Sequence, residues 1–297
     1  MKTSLLVSHL RSRIEDESNL NYTDSKLEGY LDQSALAVAN LLKWEYLQRL
    51  FVDTGSLNIT TGGYITFKNA FGSVYPLRNA ISKVYITNLS DGTADASFNL
   101  SLNKFADLIS YENGEADNLY YTNEAVNTVL TEKPASAYKP VAYIQDNKLY
   151  VKPFYSTETN ITISYYREPF KHITDISTDL TFTNNRLSSA GNINFRRSGY
   201  EVGQLIELTG TTNVANSSTY EITIVTDTFI EVEDNFPNAG ADTASITIST
   251  VDNLGSNLTI PLLDYAEYLI WSEDNKPTRA KNAYSSALNQ INTLNGR

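Results

Sequence analysis

Asn21-Tyr22-Thr23-Asp24-Ser25-Lys26-Leu27-Glu28-Gly29-Tyr30-Leu31-Asp32-Gln33-Ser34-Ala35 is the stretch on which the fold turns. Polar residues come first, and Thr23 or Ser25 can cap a helix, Ser25 with Glu28 matching the capping-box spacing. Leu27, Leu31, Ala35, Val38, Leu42 and Tyr46 then recur at three- and four-residue steps. One apolar stripe of that kind predicts a helix running to about Phe51, roughly 40 Å long at 1.5 Å per residue. Upstream, Leu6, Leu10 and Ile14 predict a shorter first helix, ended by the polar break Glu15-Asp16-Glu17-Ser18-Asn19. Carboxylates are unfavourable at a helix C-terminus, so this acidic run reads as a solvated loop, with a docking contact or cation site as the alternative.

Helices return at the other end of the chain. Ile260-Pro261-Leu262-Leu263 opens one with proline in its first turn, and Leu263, Ala266 and Ile270 share a side. Asp274-Asn275-Lys276-Pro277 breaks it, and a last helix over about Thr278–Leu294 turns Ala280, Ala283/Tyr284, Ala287 and Ile291 inward. Both chain ends are expected to meet in one helical bundle.

Between them the period changes. Runs rich in Thr, Tyr and Val predict strands at Tyr64–Phe67, Val84–Thr87, Tyr120–Val126 and Asn160–Arg167, with a short helix near Asn103–Ser110. Gly62-Gly63, Asn88–Gly92 and Glu112-Asn113-Gly114 read as turns. The clearest hairpin joins Val141–Ile144 to Lys148–Pro153 through Gln145-Asp146-Asn147. Ile161, Ile163 and Tyr165 alternate onto one face of the strand that stops before Pro169. From Thr178 to Thr250 shorter strands are predicted at Ile193–Phe195, Leu205–Thr209, Tyr220–Val225, Phe229–Val232 and Ala244–Thr250. This segment holds nine acids against three arginines, a net of −6 within a chain of −11. It reads as a separate β module projecting into solvent, the alternative being a continuation of the preceding sheet. The fold class is therefore α+β. Residues 1–54 form an N-terminal helical region, 55–177 an antiparallel β-sheet domain and 178–250 an inserted small β module, and the helices of 251–297 rejoin the bundle.

Composition narrows the chemistry. The 297 residues, 41% of them apolar, are enough for a real core, and 20 Tyr against 11 Phe suit half-buried strands and polar interfaces. No basic run exceeds Arg196-Arg197, so phosphate-neutralising DNA binding is not expected; an acidic body beside DNA would let it slide. The absence of cysteine excludes disulfides, thiolate catalysis and Cys-based zinc sites. His9 and Arg11 interrupt the first apolar run too early for a signal peptide, and no stretch reaches the ~18 apolar residues that span a bilayer. The chain thus reads as soluble, with no membrane partner, made in the host cytoplasm and used there or on a particle assembled there. In that setting the Asn-x-Ser/Thr triplets, such as Asn58-Ile59-Thr60, carry no meaning.

Catalytic constellations are poor. His9 reads as a partly buried or boundary residue of the first helix and His172 as an exposed linker residue, neither beside a nucleophile motif. Gly62-Gly63 lacks the lysine and helix start of a phosphate loop. Glu231 and Glu233 fall on one strand face, as paired glycosidase carboxylates can, but no Trp lies near in sequence. Trp44 and Trp271 both fall in helical segments and read as core. No catalytic, cofactor-binding or metal-ligating residue is assigned, no cofactor is expected, and the chain reads as a structural protein, not an enzyme.

The opening helix followed by Asn21–Ala35 resembles the head–tail connector and adaptor proteins of tailed phages, in which a polar cap precedes a long Leu- and Ala-rich helix. Asn147-Lys148-Leu149-Tyr150-Val151-Lys152-Pro153 is similar to a stretch of the sheet of podovirus tail-tube adaptors. Ile161-Thr162-Ile163-Ser164-Tyr165-Tyr166-Arg167-Glu168-Pro169 looks like a family strand ending in Tyr-Tyr-Arg near a proline. Val202–Ile206 and Thr219–Ile222 resemble small β modules inserted in phage tail proteins, a departure from the minimal adaptor plan. The Asn- and Tyr-rich, cysteine-free style is similar to that of crAss-like phages. The resemblance spans about two-thirds of the chain in loose pattern. It implies a homo-oligomeric ring of about twelve copies at the head–tail junction of the virion, closed by heterologous contacts. Its partners would be the portal protein, a tail or second ring protein, and DNA passing without sequence-specific binding during ejection. The competing reading is a tail-surface protein that binds a receptor or decorates the particle.

Overall fold

The stripe of the second helix folds as it reads, but stops early. The structure, a computed structural model, describes residues 1–59, 64–71, 76–88, 98–103, 141–152 and 160–296. Contacts divide the chain into two units, Met1–Leu50 with Pro169–Arg297, and Phe51–Glu168.

In the first unit, α1 (Thr3–Arg13) buries Leu6, Leu10 and the adjoining Ile14, and α2 (Asp24–Leu41) buries Leu27, Leu31, Ala35 and Val38. Thr23, not Ser25, is the cap of α2, its hydroxyl accepting from the Lys26 amide at 3.3 Å. At 18 residues α2 is about 27 Å long, shorter than the stripe to Tyr46 predicts. The physical reason is a residue from the far end of the chain. Asn295 accepts the Lys43 amide at 3.0 Å and donates to the Leu41 carbonyl at 2.9 Å, while Leu42 turns extended. Two 3₁₀ turns, Trp44–Tyr46 and Gln48–Leu50, follow, and they bury Leu47 and Leu50 instead of Tyr46.

Two further helices, α5 (Thr259–Glu273) and α6 (Pro277–Leu294), complete the bundle. Leu263, Ala266 and Ile270 are buried as their spacing predicts, and Ala280, Ala283, Ala287 and Ile291 form the inward stripe of α6. Tyr284 stays partly outside. The two chain ends do meet: Ser34 Oγ donates to the Leu262 carbonyl at 2.5 Å, and Tyr22 OH to Asp274 at 2.6 Å. Arg13 pairs with Asp264 at 2.5 Å, a carboxylate that also accepts from Ser286 and Gln290 of α6.

The same unit holds eight strands: β9 (Thr174–Ser177), β10 (Leu180–Thr183), β11 (Arg186–Ser189), β12 (Leu205–Thr209), β13 (Thr219–Val225), β14 (Phe229–Val232), β15 (Gly240–Asp242) and β16 (Ile246–Thr250). They form one antiparallel sheet in the order β15-β10-β11-β14-β13-β12-β16-β9. Phe182, Leu187, Phe195, Ile206, Leu208 and Ile230 form its core. Two boundaries differ from those the sequence suggests. The module begins at Thr174, because β9 pairs with β16. Ile193–Phe195 is no strand; Asn194 caps a short helix α4 (Phe195–Ser198) by accepting from the Arg197 amide at 2.9 Å. Nor does the module project free of the helices. Lys2 bonds Glu207 at 2.8 Å, Thr3 bonds Thr250 at 2.8 Å, and the Ser4 amide donates to Ser249 at 3.0 Å. Gly210 is required where β12 ends, since a Cβ there would sit 2.7 Å from the Ser245 carbonyl oxygen.

The second unit comprises β1 (Phe51–Asp53), β2 (Leu57–Asn58), β3 (Tyr64–Thr66), β4 (Pro76–Asn88), β5 (Phe98–Asn103), β6 (Val141–Gln145), β7 (Lys148–Lys152) and β8 (Asn160–Arg167). These form one sheet in the order β1-β8-β4-β5-β6-β7-β3, with β2 also on β8. Phe67 opens a short helix α3 (Phe67–Phe71) instead of closing the strand before it. Ile161, Ile163 and Tyr165 are buried together with Val84, Leu149 and Phe71. The hairpin of β6 and β7 turns on Asp146 and Asn147, both at positive φ (49° and 56°), the two-residue turn whose twist matches the strands. The sheet is antiparallel except that β5 and β6 run parallel. The expected strand Tyr120–Val126, the turns at Gly62-Gly63 and Glu112–Gly114, and the helix expected beyond Asn103 lie outside the described residues.

Candidate functional site

A concentration of buried polar chemistry lies where α2 meets the β module. His172 stands just before β9 and is 4% exposed, not the exposed linker residue its position suggests. Its amide donates to Asp32 Oδ1 at 2.6 Å, its ring Nδ1 lies 3.0 Å from the same oxygen, and Nε2 lies 3.8 Å from Asp252. Burial pushes the imidazole toward the neutral form, but the carboxylates of Asp252 and Asp32 outweigh it and raise the pKa to about 9. One turn before Asp32 on α2, Glu28 sits near Thr174, Asp175 and Tyr200. Each contributes a buried oxygen without a hydrogen-bond partner among the described residues. Burial pushes the Glu28 carboxyl up to about 7 against the pull of the Thr174 hydroxyl, with Asp24, Asp175 and Asp32 adding to the rise. Burial and then Asp175 push the Tyr200 hydroxyl well above its ordinary range.

This arrangement ties the segment before β9 to α2 through the His172 amide and ring. A general base must reach a substrate proton, whereas both ring nitrogens of His172 face carboxylates inside the protein. Its chemistry suits fastening the segment before β9 to α2.

A second polar centre lies at the α1–α2 corner. Arg11 is buried, bonding Asp16 at 2.8 Å, Asp24 at 2.6 Å and the Tyr22 carbonyl at 2.9 Å. Asp16 accepts the amides of Leu20, Asn21 and Tyr22, so the acidic run is not simply a solvated loop: Asp16 organises it while Glu15 and Glu17 stay exposed. The acidic run by itself does not reveal this, because it does not show that Arg11, five positions earlier, turns its guanidinium onto Asp16.

The remaining candidates separate. His9 is exposed, not a boundary residue. Glu231 is paired with Arg186 at 2.6 Å, and Glu233 lies beyond the end of β14, so no opposed carboxylate pair forms. Arg196 and Arg197 lie on α4, with Asp227 3.8 Å from Arg196. Trp44 is half-buried on a 3₁₀ turn instead of core, while Trp271 is buried. Against the Trp271 ring lie Lys276 at 4.5 Å and Arg279 at 4.8 Å. Beside it opens a groove of about 570 Å³ between α5 and α6, lined by Tyr268, Trp271, Pro277, Ala280, Lys281 and Tyr284. Tyr265, Tyr268 and Tyr284 pack on one another there at 4.9 to 6.0 Å between ring centres.

Among the described residues no three His, Asp or Glu side chains converge on a metal position, and no helix is long and apolar enough to cross a membrane. No protein-family model matches the chain, and no curated protein matches its sequence.

Proposed function

We propose that the chain is a structural subunit of a tailed-phage virion, an adaptor ring between portal and tail that continues the DNA channel and docks the next tail component. The observation that carries this reading is the union of the two chain ends in one bundle. Arg13, Tyr22 and Ser34 of the N-terminal segment are bonded to α5 and its flank, and Asn295 seals the end of α2. A bundle closed in this way leaves outer helix faces free to tile around an axis, and the likeness of Asn21–Ala35 and Ile161–Pro169 to connector proteins supports the same role. The copies, about twelve, would contact one another heterologously, and the role is geometric, with no reaction assigned. Electron microscopy of the purified protein mixed with portal-containing particles tests it. A ring added beneath the portal is the expected result, and portal vertices left bare at saturating protein would overturn the reading.

A receptor-binding or decorating role draws on one specific feature. Val214 is 78% exposed at a tip flanked by Thr212, Asn213 and Asn216, beside a cavity of about 580 Å³. Removing 178–250 would strip β9 of its partner strand, so a tip substitution, V214D, is the cleaner probe. Particles that assemble but fail to adsorb would favour this second role.

A further inference from the structure

The groove between α5 and α6 is apolar, aromatic and cationic in a chain that is otherwise strongly acidic. From Asn275 to Gly296 there are three cations, Lys276, Arg279 and Lys281, and no acid. Lys276 and Lys281 are exposed at the groove, and neither forms an ion pair among the described residues, Lys276 being stacked on Trp271. Tyr284, 37% exposed, and Tyr268 supply the apolar wall.

The β module carries the complement. Leu205 of β12 stands directly opposite Glu221 of β13, so the two share a face of the sheet. Ile222 pairs with Val232, and the Glu233 amide donates to the Glu221 carbonyl at 2.9 Å, which continues the row to Glu233. Leu205 is 40% exposed, and Val202, in the turn three residues before the strand, is 55% exposed. Glu221, Glu233 and Asp234 are all exposed and form no ion pair among the described residues. Like charges set opposite each other in a sheet are destabilising, so Glu221 and Glu233 incur a cost that no ion pair among the described residues relieves. A cationic surface laid over them would.

We infer that the Val202–Leu205–Glu221–Glu233 face of one copy docks into the Tyr268–Trp271–Lys281–Tyr284 groove of a second copy of this chain. The two surfaces differ, so the contact is head-to-tail, the kind that closes rings or extends filaments. Val202 and Leu205 would cover the tyrosine wall while Glu221 and Glu233 meet Lys276 and Lys281. This deepens the adaptor-ring reading, on which it rests, by naming the subunit contact.

Charge exchange tests it. K276E/K281E makes the groove acidic, and E221K/E233K makes the sheet face basic. All four positions are exposed, and circular dichroism checks that both variants keep the fold. Self-association is measured by sedimentation velocity at low salt, and ring formation by electron microscopy with portal particles. Each variant alone is expected to lose about ten-fold or more in self-association relative to the unaltered chain, and added salt should weaken the latter. An equimolar mixture should recover it, because the groove of each variant meets a face of opposite charge only in the other. Folded variants that associate and form rings as the unaltered chain does would overturn this contact and leave the ring reading standing. Failure of the mixture to recover would also overturn the contact. An unaltered chain that forms no ring even beside portal would overturn the ring reading, and this inference with it.

Discussion

Two ionisable residues of the same joint, buried His172 and half-buried Glu28, make stability depend on pH in the same direction. The folded imidazole titrates at about 9 against an ordinary 6.5, so its contribution is complete below pH 6.5 and is lost as pH climbs through 9. The H172Q variant is expected to be less stable than the unaltered protein at pH 6 by on the order of 2 kcal/mol, with the gap shrinking above pH 9. Urea midpoints at pH 6, 8 and 10 measure it; a gap independent of pH would rule out the charged clamp. Glu28, raised from 4.5 to about 7, gives up its proton in the unfolded chain before it does so in the folded one. Stability therefore falls as pH rises from about 4.5 to 7, and E28Q should flatten that slope, gaining on the unaltered protein at pH 8 relative to pH 5. Thermal midpoints at the two pH values decide it. Neither role is legible in the sequence. His172 follows a proline and precedes a strand, as linker residues do, and Glu28 occupies a position that suits a capping box. Burial came to both from segments more than a hundred positions away.

Secondary elements were more legible where their cause is local. The stripes of α1, α5 and α6 follow the 3.6-residue period, and the Asp146-Asn147 turn follows from residues that tolerate positive φ. α2 shows the limit of such reasoning. Its cap, Thr23, lies three residues from the amide it holds, but its end is held by Asn295, 254 positions from Leu41. T23A is expected to cost about 1 kcal/mol, the usual loss for a capping hydroxyl. N295A should cost about 1–3 kcal/mol, since it leaves a Leu41 carbonyl and a Lys43 amide without their partner. Denaturant titration of both variants compares them; equal stability of N295A and the unaltered chain would mean that α2 ends for some other reason.

At the scale of the whole molecule, two apolar clusters among the described residues lie apart, one under the β module around Phe182, Leu208 and Ile230, the other around Ile161, Ile163 and Val84. Each belongs to one of the two units, so calorimetry is expected to show two transitions instead of one. L208A, emptying a fully buried position, should destabilise the first unit by about 2–5 kcal/mol and leave the other transition in place. A single transition lowered as a whole would show the cores to be coupled. By itself the sequence determined the α+β class, the apolar stripes of the helices at both ends, the hairpin of β6 and β7, and the acidic character of the module. These depend on periodicity, turn chemistry and charge, properties carried by neighbouring residues. Only the tertiary structure decided where α2 stops, that β9 joins the module sheet, that β5 and β6 run parallel, and that His172 is buried and Glu28 half-buried. Each of those depends on which distant partner occupies a hydrogen bond or excludes water, and chain order alone carries no record of that choice.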